Sequence, residues 1–372
     1  AVQADGSTDY NAYSETYVWG GNNNVFGNGP SQPGSDDPVQ IPGNWVVTHH
    51  QAQEGNNSMA LVSMISGTNL YTWGRNEYGQ TGKSPLNQNP TGSKQYISSG
   101  WKQASATETN MSAIKTDGTL WSWGWNENGQ LGHNDRATRI AVTQVGTDTT
   151  WEKVCVGYAQ AVATKTDGTL WAWGNGAQGA VGDNTVFKRS SPTQVGTETD
   201  WSGAGLTVGR GAVGAIKSDG TGWVWGQNSG GQMGVGLPHN VGRSSPTQIG
   251  GTWAWFDIGK YFGVGIETNG EAKSWGSGGD GKLGQNANSD LAYPTQIGSG
   301  TDWSPHHGAS GAGSKHGGAV KTDGTLWMWG EGTDGKLGQG NNTSYSSPKQ
   351  VPGTDWYNVN PITANTFAQK YY

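Results

Sequence analysis

Alternation of polar and hydrophobic positions along this chain predicts short β-strands joined by tight turns. Around Asp117 and Gly118, residues 113–115 (Ala-Ile-Lys) lead into a turn and residues 120–123 (Leu-Trp-Ser-Trp) lead out of it. Asp-Gly favours a hairpin because both residues tolerate positive φ, and aromatic and β-branched side chains suit a pleated surface. No stretch keeps a helical period of about 3.6 residues with capping signals, so we expect almost no helix.

The same pattern returns along the whole chain. Each copy ends in a Trp-Gly pair, and the tryptophans of these pairs are Trp19, Trp73, Trp123, Trp173, Trp225, Trp275 and Trp329. Successive pairs are separated by 54, 50, 50, 52, 50 and 54 residues. A repeat near fifty residues, counted seven times, is typical of an array or a propeller. We therefore assign these seven tryptophans a structural role in the repeat.

Four short strands per copy predict an all-β fold, a seven-bladed β-propeller rather than an open solenoid. An open stack would need polar capping repeats at its ends, whereas the two ends of this chain carry complementary halves of one copy. We predict that residues 364–370 pair with residues 14–19, so that the N- and C-terminal strands close the ring and remove exposed edges. Residues 1–12 would form an N-terminal extension, and residues 13–372 a single propeller domain.

Composition restricts the classes of partner. The chain of 372 residues has 64 glycines and 20 tryptophans, only 13% charged residues, and a net charge of −6. Its 22 scattered Lys and Arg residues do not provide the clustered charge that nucleic-acid binding needs, so we expect no nucleic-acid partner. No run of about eighteen apolar residues exists, and we predict no membrane insertion. The N-terminal residues lack signal-peptide features, so either a signal was removed earlier or only an initiator Met was lost.

One segment of the repeat carries a family resemblance. Residues 117–132 read Asp-Gly-Thr-Leu-Trp-Ser-Trp-Gly-Trp-Asn-Glu-Asn-Gly-Gln-Leu-Gly. This run resembles the repeat of the regulator of chromosome condensation family, and the likeness extends over roughly residues 14–370. The resemblance implies a seven-bladed propeller. The family includes nucleotide-exchange factors, enzyme inhibitors and many environmental repeat proteins, so the resemblance leaves the function open.

The family's typical unit carries Gly-x-x-His ahead of an Ala-x-Lys strand, and the resemblance implies that these histidines cluster at one mouth of the propeller. Here only residues 313–316 keep that pattern, ending in His316. The matching positions of the other copies are Asn57, Asn110, Gln160, Ala212, Phe262 and Asn365. A mouth of neutral amides disfavours nucleotide exchange on a small GTPase. The amides would bind sugar hydroxyls or a partner backbone, or else they are ordinary satisfied loop residues.

Two insertions distinguish the copies, and loops on a rigid scaffold often carry function. They fall at residues 47–57 and 304–313, and each contains a pair of histidines. We predict a partner-binding sector rather than a metal site, since a metal needs three or four converging ligands. The predicted partner-binding residues are His49, His50, Asn57, Asn110, Gln160, Arg210, Phe262, His306, His307 and His316. Trp125 and Trp255 lie outside the regular positions, and we interpret them as packing residues, with an interface anchor as the alternative.

No catalytic motif stands out, because the recurrent Asp residues occupy hairpin turns and no nucleophile elbow is present. We predict a protein that is not an enzyme and has no cofactor. The favoured role is a non-enzymatic interaction scaffold, a phage structural protein of a tail, fibre or capsid surface. It would be located in the virion or extracellularly, and would dock other virion proteins or a host-surface glycan. The alternatives are a secreted or periplasmic bacterial binding or inhibitor propeller and, disfavoured, a guanine-nucleotide exchange factor.

Overall fold

A computed structural model describes residues 14–21, 34–47, 49–51, 61–74, 76–84 and 94–371. Within this part of the chain there are 28 β-strands and three single-turn 3-10 helices, and no α-helix. The strands are β1 (Ser14–Gly20), β2 (Ser35–Asn44), β3 (Val46–Val47), β4 (His49–Gln51), β5 (Leu61–Ser66), β6 (Asn69–Gly74), β7 (Gln95–Ser98), β8 (Trp101–Thr107), β9 (Asn110–Lys115), β10 (Leu120–Gly124), β11 (Arg139–Gln144), β12 (Trp151–Val156), β13 (Gln160–Lys165), β14 (Leu170–Gly174), β15 (Arg189–Gln194), β16 (Trp201–Val208), β17 (Ala212–Lys217), β18 (Thr221–Gly226), β19 (Arg243–Ile258), β20 (Phe262–Glu267), β21 (Ala272–Gly276), β22 (Leu291–Gln296), β23 (Ser310–Ala312), β24 (His316–Val320), β25 (Leu326–Gly330), β26 (Tyr345–Gln350), β27 (Trp356–Pro361) and β28 (Asn365–Tyr371). The 3-10 helices are Ala177–Gly179, Gly279–Gly281 and Thr333–Gly335.

The strands form seven antiparallel four-stranded blades, as expected for an all-β propeller. In chain order the blades are β3-β5-β6-β7, β8 to β11, β12 to β15, β16 to β19, β19 to β22, β23 to β26, and β27-β28-β1-β2. β19 serves two blades, since its first half pairs with β18 and its second half with β20. The first strands of neighbouring blades pack on one another, as β8, β12 and β16 do. These first strands are therefore the inner ones.

The last blade is assembled from both ends of the chain. β1 pairs with β28 from Ser14 opposite Tyr371 to Gly20 opposite Asn365, which is the pairing predicted from the sequence. This blade packs on both neighbours. Trp19 donates a hydrogen bond to the Lys336 carbonyl (2.9 Å) on one side, and Phe367 belongs to a buried cluster with Trp73 on the other.

The tryptophans of the seven Trp-Gly pairs are all buried. Six of them donate their indole N–H to a backbone carbonyl in the preceding blade, at the residue before the Leu, Val, Met or Thr of its Gly-rich turn. The pairs are Trp19 with Lys336, Trp123 with Gln80, Trp173 with Gln130, Trp225 with Ala180, Trp275 with Gln232, and Trp329 with Lys282, at 2.8–3.2 Å. Each indole thus fills space between blades and has its polar group satisfied there.

Each blade has two different ends. The hairpin face carries the turn between the second and third strands, where Gly118 has a φ of +80° and a Cβ would lie 1.9 Å from the Thr149 carbonyl oxygen. Only glycine fits there, which explains the repeated Asp-Gly. The Asp117 carboxylate accepts hydrogen bonds from the Thr119 backbone (3.0 Å) and hydroxyl (2.6 Å). The opposite end, the loop face, carries the connections from first to second and from third to fourth strands.

Candidate protein-docking surface

The predicted mouth residues lie at the loop face but are not accessible. Asn110, Gln160, Phe262 and His316 each open the second strand of a blade, opposite the last glycine of its third strand. All four are at most 2% exposed. Asn110 Nδ2 donates to the Tyr158 carbonyl (3.3 Å), in the first loop of the next blade. The prediction that these side chains form an accessible surface is wrong, because neighbouring blades pack over them.

Asn57 lies outside the described residues. The residue of the first blade that stands opposite its Trp-Gly glycine is Leu61, which pairs with Gly74. The sequence alignment of Asn57 with Asn110 is therefore wrong in register. Because an insertion precedes Leu61, the number of residues after Trp45 does not locate this position.

His316 is a packing residue rather than a contact for a partner. It is fully buried, and its Nε2 lies 2.9 Å from the Thr366 hydroxyl in the next blade. Burial, and then the positive charge of Lys336, lower the pKa of His316 to about 3. The imidazole is therefore neutral near pH 7.

The two insertions contact different inner strands. Residues His49–Gln51 form β4, which runs parallel to the end of β8, and nothing further is described of the His49 and His50 side chains. In the second insertion His306 is exposed, whereas His307 packs between blades. His307 Nε2 lies 2.8 Å from Lys153 Nζ, and its ring centroid is 3.9 Å from that of Trp255.

The contacts of these insertions lie in different blades, β8 for the first insertion and Lys153 and Trp255 for the second, and a shared partner-binding sector stays a prediction. Trp255 is 3% exposed, as a packing residue should be, and its indole donates to the Ser310 carbonyl (3.1 Å). Arg210 is exposed in the loop between β16 and β17, in another blade. Among the described residues no group of three His, Cys, Asp or Glu side chains could hold a metal ion. No described helix has the length and apolar character needed to cross a bilayer.

Two exposed hydrophobic side chains at the loop face were not predicted from the sequence. Val186 and Phe187 lie in the loop between β14 and β15 and are 59% and 66% exposed. Lys188, the next residue, is exposed as well. Isolated exposed hydrophobics are common, but an adjacent Val-Phe pair with this exposure is informative.

This loop, residues 183–189, is held in place by one carboxylate, and we call it the docking loop. Asp183 accepts hydrogen bonds from the Thr185 backbone (3.1 Å) and hydroxyl (2.6 Å), and from Arg189 Nε (2.6 Å). Partial burial opposes ionisation of Asp183, but these hydrogen bonds outweigh it and keep its pKa below the ordinary value. The Phe187 backbone N–H in turn donates to the Thr185 hydroxyl (3.3 Å). The hydrophobic pair is thus presented on an ordered loop.

The sequence signal for this exposed pair is the chemical character of its residues, not the length of the loop. Four residues after the last glycine of the Gly-rich turn, this blade has Val186-Phe187, where the preceding blade has Arg136-Ala137. The loop has the usual length, so comparing the lengths of the copies passed over it. Comparing side-chain character at equivalent positions would have found it.

An aromatic row lies on the same face. Tyr78, Trp125 and Tyr158 come from three successive blades and are half-buried. Their ring centroids are separated by 6.2 Å and 5.6 Å. Tyr158 belongs to the blade of the docking loop, and both lie at its loop-face end. Trp125 therefore packs against its neighbours, as interpreted from the sequence, while part of its ring faces solvent.

Comparison with known proteins identifies the repeat. The family "Regulator of chromosome condensation (RCC1) repeat" matches residues 117–163 and 323–362. The human E3 ubiquitin-protein ligase HERC2 is 29% identical over 143 residues, which cover 37% of this chain and 3% of HERC2. The RCC1 domain-containing protein RUG3, mitochondrial, of Arabidopsis thaliana is 29% identical over 160 residues, covering 42% of this chain and 32% of RUG3. The chain thus matches less than two thirds of either relative.

Solved structures match over nearly the whole chain. Yeast RCC1 (Prp20) in complex with Kap60 has a TM-score of 0.82 at 18% identity, covering 97% of this chain and 89% of that one. Prp20p from Saccharomyces cerevisiae, whose title names binding to Gsp1p and histones, has a TM-score of 0.81 at 18% identity, with coverages of 97% and 93%. Human WBSCR16 has a TM-score of 0.80 at 18% identity, with coverages of 96% and 99%. At this identity the likeness shows a shared fold.

Proposed function

Since this chain is an RCC1-like β-propeller, we propose that it is a protein-binding scaffold whose partner docks on the loop face over the docking loop. The observation that carries this proposal is the exposed pair Val186-Phe187 on an ordered loop. Large hydrophobic side chains that are already ordered lose little conformational entropy on binding and serve as interface anchors. Lys188 beside them favours a partner whose hydrophobic pocket is rimmed by carboxylates.

The aromatic row extends this surface toward the neighbouring blades. Tyr and Trp side chains that are half-buried in the free protein supply contact area while their rings are already positioned. Tyr78, Trp125 and Tyr158 would therefore support the rim of an interface centred on Phe187. The repeated framework holds these loops, and their chemistry sets the specificity.

A photo-crosslinking experiment tests this proposal. A benzophenone amino acid replaces Phe187 in one variant and Tyr293 in a control variant, since Tyr293 is 63% exposed on strand β22 of a different blade. In extracts of the native source, we expect the probe at position 187 to give a discrete crosslinked protein that unmodified protein competes away. Equal crosslinking from both positions, or no competition, would contradict docking at the loop face.

Nucleotide exchange is a second candidate, favoured by the likeness to Prp20p, a protein whose title names Gsp1p binding. The assay is release of labelled nucleotide from Gsp1p with and without this protein, with Prp20p as the positive control. A stimulated rate would support exchange activity. An unchanged rate would leave the scaffold proposal standing and remove Gsp1p exchange.

The more specific predictions made from the sequence remain proposals, and the composition supports them. A role in a phage tail, fibre or capsid surface, a virion or extracellular location, and the secreted or periplasmic alternative rest on low charge and a surface rich in amides and hydroxyls. Mass spectrometry of purified virions tests the first, and absence of the protein there would end it. That the protein is not an enzyme also stays a prediction.

A further inference from the structure

Four blades share a set of three side chains near the hairpin face. The set consists of the first Trp of the inner strand, the Lys that ends or follows the second strand, and the first Trp of Trp-x-Trp. In the blade of β23 to β26, Lys321 Nζ lies 5.2 Å from the ring centroids of both Trp303 and Trp327. Trp303 is 4% exposed, whereas Trp327 is half-buried. The other sets are Trp101/Lys115/Trp121, Trp151/Lys165/Trp171 and Trp201/Lys217/Trp223.

At Trp303 the set borders a cavity of about 540 Å³ between the blade of β19 to β22 and the blade of β23 to β26. Polar and aromatic side chains share its wall, which includes Gln285, Gln296, Ser299, Trp303, Lys321 and Trp327. This volume lies within the range of about 300–1,000 Å³ that small-ligand sites occupy.

A glycine forms part of the cavity wall beside Trp303. Gly300 occupies the position that Asp148 holds before Trp151 and Glu198 holds before Trp201. Asp148 reaches Lys165, with its Oδ2 2.6 Å from Nζ. At Gly300 an added Cβ would stand 2.8 Å from Asp302 Oδ1 and 4.0 Å from Trp303 Nε1, so a larger residue there would displace the Asp302 carboxylate.

The cavity also borders the indole N–H of Trp303. The indole N–H groups of Trp151, Trp201, Trp253 and Trp356 are fully enclosed and without a partner, whereas that of Trp303 is not among these enclosed groups. A ligand oxygen in the cavity can therefore accept a hydrogen bond from it. Lys321 is paired with Asp302 (3.0 Å), which offsets its charge and disfavours strongly anionic ligands.

We propose that this cavity binds a pyranose sugar. The exposed part of the Trp327 ring stacks on the C–H face of the sugar, because aromatic faces attract the polarised C–H groups of a pyranose. The Trp303 N–H, the Lys321 ammonium group and the Ser299 hydroxyl form hydrogen bonds with the sugar hydroxyls. A purely apolar ligand would offer no acceptor to the Trp303 N–H or the Ser299 hydroxyl. The site lies between other blades than the docking loop, so the proposal does not rest on protein docking.

Saturation-transfer difference NMR tests the site with a panel of methyl pyranosides: glucoside, galactoside, mannoside, N-acetylglucosaminide and glucuronide. We expect saturation of ring protons in at least one of them, with binding in the millimolar range. Gly300→Asp places a carboxylate in the cavity, as in the blade of Trp151, and should weaken binding about tenfold or more. Gly250→Asp is the matched control, because it changes the glycine three residues before Trp253, within β19 of another blade, where an added Cβ meets no atom within 4 Å.

Binding that is lost in Gly300→Asp and retained in Gly250→Asp supports the site. Saturation of none of the pyranosides by the wild-type protein, or equal binding by both variants, overturns it. Circular dichroism establishes that each variant is folded. If Gly300→Asp does not fold, Trp327→Phe decides, because the smaller ring should weaken binding several-fold while filling most of the same space. Unchanged affinity in that variant would overturn the stacking.

Discussion

Two aromatic side chains of the same blade show how this protein divides its residues between architecture and recognition. Trp173 is the last residue but one of β14, is fully buried, and donates to the Gln130 carbonyl of the preceding blade (2.9 Å). Phe187, in the loop that follows, is 66% exposed. The first position repeats in every blade, and the second has no equivalent in the blade before it. Repetition marks contacts between blades, and divergence marks the surface that is free to meet something else.

The largest expected effect is the loss of a repeated tryptophan. Trp173→Ala removes the indole from between two blades and leaves Gln130 O without its donor. Truncation of a buried Trp usually costs about 3–5 kcal/mol, which denaturant unfolding followed by circular dichroism measures. Trp173→Phe is the control, and it should lose less because most of the buried area remains. A loss below that of Trp173→Phe would mean that the position is not part of the framework.

His316 predicts a pH dependence of stability. Its pKa is about 3 in the folded protein and near 6.5 when unfolded, so the unfolded chain binds the extra proton over this window. The contribution is complete above about pH 6.5 and is lost as the pH falls toward 3, at up to about 1.4 kcal/mol per pH unit.

His316→Asn, which introduces the residue found at Asn110 and Asn365, should flatten the pH dependence of the unfolding midpoint between pH 6.5 and 3. His306→Asn is the control, because His306 is exposed. Identical pH profiles for the wild type and His316→Asn would show that His316 is not held neutral in the folded protein.

A smaller effect is expected where Lys165 covers two tryptophans. Its Nζ lies 4.8 Å from the ring centroid of Trp151 and 4.0 Å from that of Trp171, and it pairs with Asp148. Lys165→Met keeps the aliphatic stem but loses the charge, which should cost about 1 kcal/mol, less at high salt. Lys188→Met, at an exposed position, should leave the unfolding midpoint unchanged. Equal midpoints for both variants would contradict a stabilising role for Lys165.

The smallest effect on stability is expected at the docking loop. Phe187→Ala should change the free energy of unfolding by no more than about 0.5 kcal/mol, because the side chain is mostly exposed. The same variant should lose most of the crosslinking to a partner, read from a probe placed at Val186. A large loss of stability would mean that Phe187 belongs to the framework, and the comparison with Trp173 would fail.

The architecture could be predicted because the same sequence pattern recurs in every blade. Trp123, Trp173 and Trp275 make the same contact with the preceding blade, 43 residues earlier in each case. A periodic sequence reveals such contacts without knowledge of the structure. The pairing of β1 with β28 followed for the same reason, since each end supplied the half of a copy that the other lacked.

The surface could not be predicted in this way. Asn110 and Gln160 were candidates because they are polar and occupy a mouth position, yet both are buried. Whether a polar side chain reaches solvent depends on what the neighbouring blade places over it. For Asn110 this is the loop of Tyr158 in the next blade. His307 shows the same limit, because its contacts with Lys153 and Trp255 join parts of the chain that no local pattern relates.

The repeat pattern is enough to predict the number of blades, the strands in each, the hairpin turns and the pairing of the two ends. These depend on local backbone preferences and on one contact repeated at nearly constant spacing. The packing of the blades covers the mouth amides, leaves Val186 and Phe187 in solvent and forms a cavity beside Trp303, and none of this follows from the sequence pattern. Exposure is decided by the packing of segments from different blades, which differs from copy to copy even where the spacing does not.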